Sequence, residues 1–260
     1  MKLYATEARF VAGQPGRAEV TVAMTVYNYG QYVEEALDSV RAQELAALDL
    51  VVVDDCSTDD SLAVVTDWLG RHAGRFGSAR LLRHRENQGL AATRNAAFAE
   101  AASEFVFALD PDNVLYPRCT ARCLQAIRDT GADFAYPIIE VFGRRADLMS
   151  FDPWDVERLR RMNYIDAMAL VRRASWEAVG GYSSVRYEGE EIMGWEDYDM
   201  WCKFVEHGFT GVRVPEILAR YRDHSTSMLR TETDVKVQRL MLEMQRRHPW
   251  LDLPFEDGAQ

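Results

Sequence analysis

Short apolar runs that alternate with helical periodicity constrain this chain more than any other feature. Val20–Val26 (VTVAMTV), Leu50–Val53, Ala79–Arg83 and Phe105–Leu109 (FVFAL) show little polar alternation, the mark of strands covered on both faces. Between them, apolar residues return at helical spacing: Val33, Leu37 and Val40, then Leu62, Val65 and Leu69, then the alanine-rich Leu90–Ala102. This β-α-β-α-β-α-β order predicts an α/β fold with a mostly parallel sheet and helices on both faces. Ligands of such sheets sit beyond the carboxyl ends of the strands. Polar residues gather at those ends: Tyr27 and Asn28, Asp54 and Asp55, Asp110 and Asp112.

The last cluster is the most chemical. Phe105–Leu109 runs into Asp110-Pro111-Asp112-Asn113, and proline lacks the amide hydrogen a central strand needs. Residues two apart in extended chain point to one side, so both carboxylates are expected side by side. Hard oxygen donors so placed suit Mg²⁺ or Mn²⁺, with water and substrate phosphates completing the shell. The competing reading is an acidic turn ahead of the helix that Pro117 begins.

Farther on, the pattern predicts a helix over Pro117–Thr130 closed by Gly131, and a strand over Asp133–Ile139. It weakens from Gly143 to Asn163, where a loop at Phe151–Trp154 leads to a basic helix, Val156–Met162. A strand at Ala167–Val171, a helix at Ala174–Val179 and an acidic loop at Glu188–Glu191 follow. The helix Glu196–Glu206 comes next, then strands around Val212 and Leu218, a segment Tyr221–Met228, and an amphipathic tail, Thr231–Arg247.

The formal charge of −11 argues against nucleic acid or an anionic membrane surface as partner. No run reaches the roughly 18 apolar residues of a membrane span. The start, MKLYATEARF, lacks the plan of a signal peptide. Cys56, Cys119, Cys123 and Cys202 lack zinc-site spacing, so free thiols and a cytoplasmic location are expected.

VTVAMTVYNYGQYVEEALDSVRAQ, LVVVDDCSTDDS, NQGLAATRNAAFAEAASEFVFALDPDN, GWEDYDMWCKFVEHG and YRDHSTSM occur in that order. Together they resemble the family 2 glycosyltransferases, over roughly Val20 to Met228. The resemblance implies a GT-A fold and inverting transfer of a sugar from a nucleotide-diphosphate sugar, UDP or dTDP favoured. It implies a saccharide or other hydroxyl-bearing acceptor, a role in polysaccharide biosynthesis, and Mg²⁺ or Mn²⁺ as cofactor. On this reading residues 1–19 are an extension, 20–230 the catalytic domain (nucleotide half about 20–115, acceptor half about 116–230) and 231–260 a helical tail.

Residue by residue, the resemblance places Thr25 and Tyr27 at the nucleotide base. Asp55 then accepts from a ring N–H of the base, although a helix cap is its alternative role. Arg94 is placed facing the nucleotide. The family's Asp-x-Asp-Asp motif reads Asp110-Pro111-Asp112-Asn113 here, with Asp112 as direct metal ligand and Asp110 as partner to ribose or metal. Arg222 and His224 are placed near the diphosphate, His224 also as a metal ligand. Asp197 matches the family's base, whereas Glu196 and Asp199 are equally well explained as acids at a helix start. Trp154, Tyr164 and Trp195, with Glu196, are acceptor candidates because aromatic faces suit sugar rings. Two rivals are a non-catalytic nucleotide-sugar binding protein of the same fold and a haloacid-dehalogenase-like phosphatase. Self-association is left open.

Overall fold

The computed structural model describes residues 5–192, 194–225, 227 and 236–254. Expectations for Met228 and for 231–235 fall outside these residues. The lead-in segment is a strand, β1 (Thr6–Gly13), on the edge of the sheet and antiparallel to β4 (Ser78–His84). The predicted alternation then unfolds as β2 (Val20–Val26), α1 (Gly30–Arg41), β3 (Leu48–Asp54), α2 (Ser61–His72), β4, α3 (Leu90–Glu100) and β5 (Phe105–Leu109). Every residue of β2, β3 and β5 is buried, as expected for strands sandwiched between helix layers.

The second half is less regular. It comprises β6 (Val114–Leu115), α4 (Cys119–Thr130), β7 (Phe134–Gly143), β8 (Asp147–Met149), α5 (Val156–Leu159), β9 (Leu170–Arg172) and α6 (Arg173–Ala178). β10 (Val185–Tyr187), β11 (Glu190–Ile192), α7 (Glu196–Glu206), β12 (Gly211–Asp223) and α8 (Val237–Arg247) complete it. The main sheet runs β1-β4-β3-β2-β5-β9-β7-β12-β6, with β8 beside β7. Pairing is parallel from β4 through β5 and again between β7 and β12. β9 lies antiparallel to both β5 and β7, so these two strands point the same way. The carboxyl ends of β2, β3, β5, β7 and β12 therefore share one edge.

One face buries Val33, Leu37, Trp68, Leu69 and Leu124, and the other Phe98, Trp176, Trp201 and Phe204. Trp201 stacks on Phe134 with ring centroids 4.4 Å apart. Removing each such side chain from water stabilises the fold by about 1.5–3 kcal/mol. All four cysteines are free, three of them buried.

Four local expectations are corrected. The basic helix forecast over Val156–Met162 is one turn, Val156–Leu159, because only Leu159 finds a core; Asp155 caps it by accepting from the backbone N–H of Glu157 and Arg158. Glu188–Glu191 is not a free loop but part of a hairpin, β10–β11, turning through Glu188 and Gly189 at φ 51° and 85°. The strands around Val212 and Leu218 are one strand, β12, whose register shifts beside Pro215. Trp154 packs edge-on against Phe134 at 5.2 Å and does not line the cleft described below, which removes it from the acceptor platform.

Gly131 ends α4 at φ 75° with open space around it. Gly131→Ala is expected to cost about 1–2 kcal/mol from backbone strain alone, read as a lower urea midpoint with an unchanged slope.

Candidate active site

A cleft of about 880 Å³ opens at the shared carboxyl edge of the sheet. At its centre, the backbone N–H of Asn113 donates to the Asp110 carbonyl at 3.3 Å, so residues 110–113 form a turn rather than extended chain. Both carboxylates line the cleft, and they take different partners. Asp110 Oδ1 accepts from Arg94 Nη2 at 2.7 Å, and Asp112 Oδ2 lies 3.0 Å from His224 Nε2. Burial raises the proton affinity of Asp112 and Asp110 adds to it, while His224 opposes both.

Arg222 is engaged by its neighbours beside the cleft. Its Nε donates to the Asp112 carbonyl at 3.0 Å, its Nη2 pairs with Glu35, and its guanidinium lies over the Tyr32 and Phe142 rings at 4.9 and 4.5 Å. Its backbone N–H donates to Asn113 Oδ1 at 3.0 Å. The side chain thus ties the end of β12 to the Asp112 turn.

Arg94 is buried on α3, where small alanines let the helix approach β2 and β3 closely. Its second nitrogen donates to Glu196 Oε1 at 2.5 Å, so one guanidinium joins the Asp110 turn to the start of α7. Burial works against that charge, but Asp110 and Glu196 outweigh it and keep the arginine firmly protonated. Glu196, expected at the acceptor, is buried in this pair. Asp197 instead faces the cleft, accepting from Asn163 Nδ2 at 3.2 Å and from its neighbour's backbone, Tyr198 N–H, at 2.7 Å. Burial pushes its pKa well above the ordinary carboxylate range, with Glu196 and Asp166 adding to the rise and Arg94 opposing it.

Asp166 and Asn163 escaped the sequence reading. Asp166 lines the cleft, accepts from the Met168 N–H at 2.9 Å, and has a pKa pushed up to about 7 by burial and by Asp110. Asn163 and Asp166 both lie ahead of the predicted strand Ala167–Val171, where no periodicity marks a ligand side.

At the opposite end, Thr25 and the exposed Tyr27 line the cleft with Asp55. Both oxygens of Asp55 already accept: Oδ1 from Gln88 N–H at 2.8 Å and Oδ2 from Gly89 N–H at 2.9 Å. Asp55 thus fixes the entry to α3, where Gly89 sits at φ 83°. Burial raises its pKa and those two N–H groups oppose the rise. Tyr164 and Trp195 also line the cleft, although the Tyr164 hydroxyl is bonded to the Asp155 N–H and the Pro153 carbonyl. Among the described residues no group of three or more His, Cys, Asp or Glu side chains is arranged to hold a metal ion. Asp112 and His224 offer two donors at the cleft, and Asp110 is engaged by Arg94. No described helix is long and apolar enough to cross a membrane.

The family model for "Glycosyl transferase family 2" matches residues 21–189. The putative glycosyltransferase EpsE of Bacillus subtilis is 25% identical over 92% of this chain and 85% of its own length. The succinoglycan biosynthesis protein ExoU of Rhizobium meliloti is 30% identical over 73% of this chain, which spans 58% of that protein. Among solved structures, S. aureus TarS 1-349 with UDP-GlcNAc superposes with TM-score 0.67 at 18% identity, over 87% of this chain and 66% of that one. The mannosyltransferase PcManGT from Pyrobaculum calidifontis, with GDP-Man and Mn²⁺, gives 0.68 at 21% over 90% and 66%. These two likenesses show the fold, that of GT-A glycosyltransferases.

Proposed function

Since the chain belongs to glycosyl transferase family 2, we propose that it moves a sugar, with inversion, from a nucleotide-diphosphate sugar to an acceptor hydroxyl. The observation that carries this reading is Asp197: a cleft carboxylate of raised basicity, held by Asn163 and Tyr198 at the start of α7. The nucleotide base is assigned to the end lined by Thr25 and Tyr27, with Asp55 shaping the α3 entry beneath it. The tyrosine ring is exposed and available for stacking. UDP or dTDP is the favoured carrier, although a neighbour of the same fold holds GDP-Man.

In the proposed step Asp197 takes the proton of the acceptor O–H as that oxygen bonds to the anomeric carbon. The bond from that carbon to the diphosphate oxygen breaks, and the nucleoside diphosphate leaves with the electron pair. Attack from the face opposite the leaving group inverts the anomeric centre. Asp112 and His224 would hold a divalent cation. Such an ion would offset the charge that develops on the leaving group. Arg94 binds both Asp110 and Glu196, so the donor-side turn and the start of α7 hold one spacing. The phosphatase alternative fails on family membership.

The ion assignment is tested by UDP titration with Mn²⁺. Asp112→Asn is expected to weaken binding at least about tenfold, the lower bound for loss of groups around a metal. It should also leave the residual affinity insensitive to EDTA. Equal affinity in wild type and variant rejects the assignment.

A further inference from the structure

Asp166 is a cleft carboxylate that the proposed step leaves without a task, yet its surroundings fix it closely. Its backbone N–H donates to Ser150 Oγ at 3.1 Å, and its Oδ1 accepts from the Met168 N–H at 2.9 Å. One residue back, the Ile165 carbonyl accepts from the Trp201 indole N–H on α7 at 3.1 Å. Ser150 is buried and sits at φ 54°, a left-handed backbone that serine seldom adopts. Such strain persists where the surrounding packing imposes it, and it collects at functional sites. The second carboxylate oxygen of Asp166 has no hydrogen-bond partner among the described residues.

The place of Asp166 in the cleft narrows what that oxygen can meet. Electrostatic coupling links it to Asp110 and Asp112 on the donor side, to Asp197 on α7 and to Tyr221 on β12. Displacement with inversion requires the sugar ring to lie between the diphosphate and the base, hence between the Asp112 turn and Asp197. A sugar in that space meets Asp166 and Asp197, neither of them paired with a cation among the described residues. Arg94, the cation whose charge reaches Asp166, is already shared between Asp110 and Glu196. Burial, and then Asp110, raise the pKa of Asp166 to about 7, so negative charge is already disfavoured there.

We propose that Asp166 selects the donor by charge: it accepts a hydrogen bond from a hydroxyl of a neutral sugar and bars a uronic acid from the same position. This rests on the glycosyl-transfer reading and names its donor class. A neutral hexose brings hydroxyl donors, which a carboxylate accepts without a counter-ion. A uronate brings a further carboxylate, and like charges set side by side oppose binding. The diphosphate's own negative charge engages whatever cation Asp112 and His224 hold, so that cation gives a uronate little relief.

The test is calorimetric titration of the full chain with Mn²⁺ at pH 8, where Asp166 is largely charged. UDP-glucose is compared with UDP-glucuronate, and UDP-galactose with UDP-galacturonate. Where GDP is the nucleotide that binds, GDP-mannose is compared with GDP-mannuronate. Wild type is expected to bind the neutral donor at least about tenfold more tightly than its uronate, a floor for the cost of juxtaposed like charges. Asp166→Asn keeps the size and an acceptor for the Met168 N–H. It should remove most of that preference while neutral donors bind nearly as in wild type. Asp166→Ser, smaller and also uncharged, should lose the preference too. A wild type that binds the uronate as tightly as the neutral sugar, through a rim arginine such as Arg161, overturns the proposal. A preference that both variants leave unchanged overturns it as well. UDP and GDP titrations on the same proteins separate the two claims. Intact nucleotide binding with no preference for a neutral sugar rejects the donor class alone, whereas absent nucleotide binding rejects the transfer reading beneath it.

Discussion

Asp197→Asn lowers glycosyl transfer by about 10²–10⁴-fold, the range for loss of a general base, and leaves nucleotide affinity nearly unchanged. The amide keeps the size of the side chain and can still accept from Asn163 and from the Tyr198 N–H, so the start of α7 is retained. What it loses is the ability to take a proton. The same substitution removes a negative charge from beside Glu196 and Asp166, so stability should rise slightly or stay level rather than fall. Steady-state transfer kinetics beside calorimetric donor titration check both halves. A matched loss of donor affinity would mean that Asp197 holds the nucleotide sugar rather than the acceptor proton.

Asp199→Asn, two residues farther along the same helix, gives the opposite pattern. Asp199 is 1% exposed at its side chain and meets Lys203 Nζ at 2.6 Å, Arg247 Nη1 at 3.1 Å and His248 Nε2 at 3.3 Å. Burial alone would raise its pKa, but His248, Lys203 and Arg247 hold it down at about 2. Removing one charge from a buried cluster typically costs about 3–5 kcal/mol, because the others are left uncompensated. The loss is expected in urea denaturation at neutral pH.

The pH dependence follows from the sign of the shift. A carboxylate with a depressed folded pKa stabilises above its unfolded pKa, and that contribution disappears as pH falls through the folded value. In wild type the loss falls between about pH 4, the ordinary Asp value, and about pH 2; in Asp199→Asn that step should be missing. His248 runs the other way. Burial lowers its proton affinity, but Asp199 and Glu206 more than offset this and raise it. Its contribution is full below the ordinary histidine pKa and fades as pH rises through the raised one. Because Arg247 and His248 anchor α8, whose Met241 lines the cleft, a weakened cluster should also disturb the cleft.

The contrast between these two acids shows what could be read from the sequence. Periodicity located α7 residue for residue at Glu196–Glu206, and the buried runs located β2 and β5 equally well. Those signals are local: a helix stripe or an apolar run is written into a few neighbouring residues. The N-terminal acids of α7 looked interchangeable because each is favoured by the helix dipole. Their separate fates depend on Arg94, Asn163 and Arg247, which lie 102, 34 and 48 residues away in the chain. Likewise the Arg222 guanidinium pairs with Glu35, on α1, which lies 187 residues away in the chain.

Segments without a strong period were the least legible. β9 has only a few residues and runs against both neighbours, so Asp166 just ahead of it carried no sign of facing the cleft. The β10–β11 hairpin turns on Glu-Gly rather than the Asn-Gly or Asp-Gly that announces such turns. β1 is half exposed and bulged, and its pattern shows little alternation. In each case the element is fixed by what it packs against.

The anomeric configuration of the product tests the central claim most directly. A nucleotide α-sugar is supplied with Mn²⁺ and an acceptor, and the new linkage is assigned by its proton coupling constant in NMR. Direct displacement, with Asp197 activating the acceptor on the face away from the diphosphate, predicts a β-linked product. An α-linked product would contradict the account, because one displacement across this cleft cannot retain the donor's configuration.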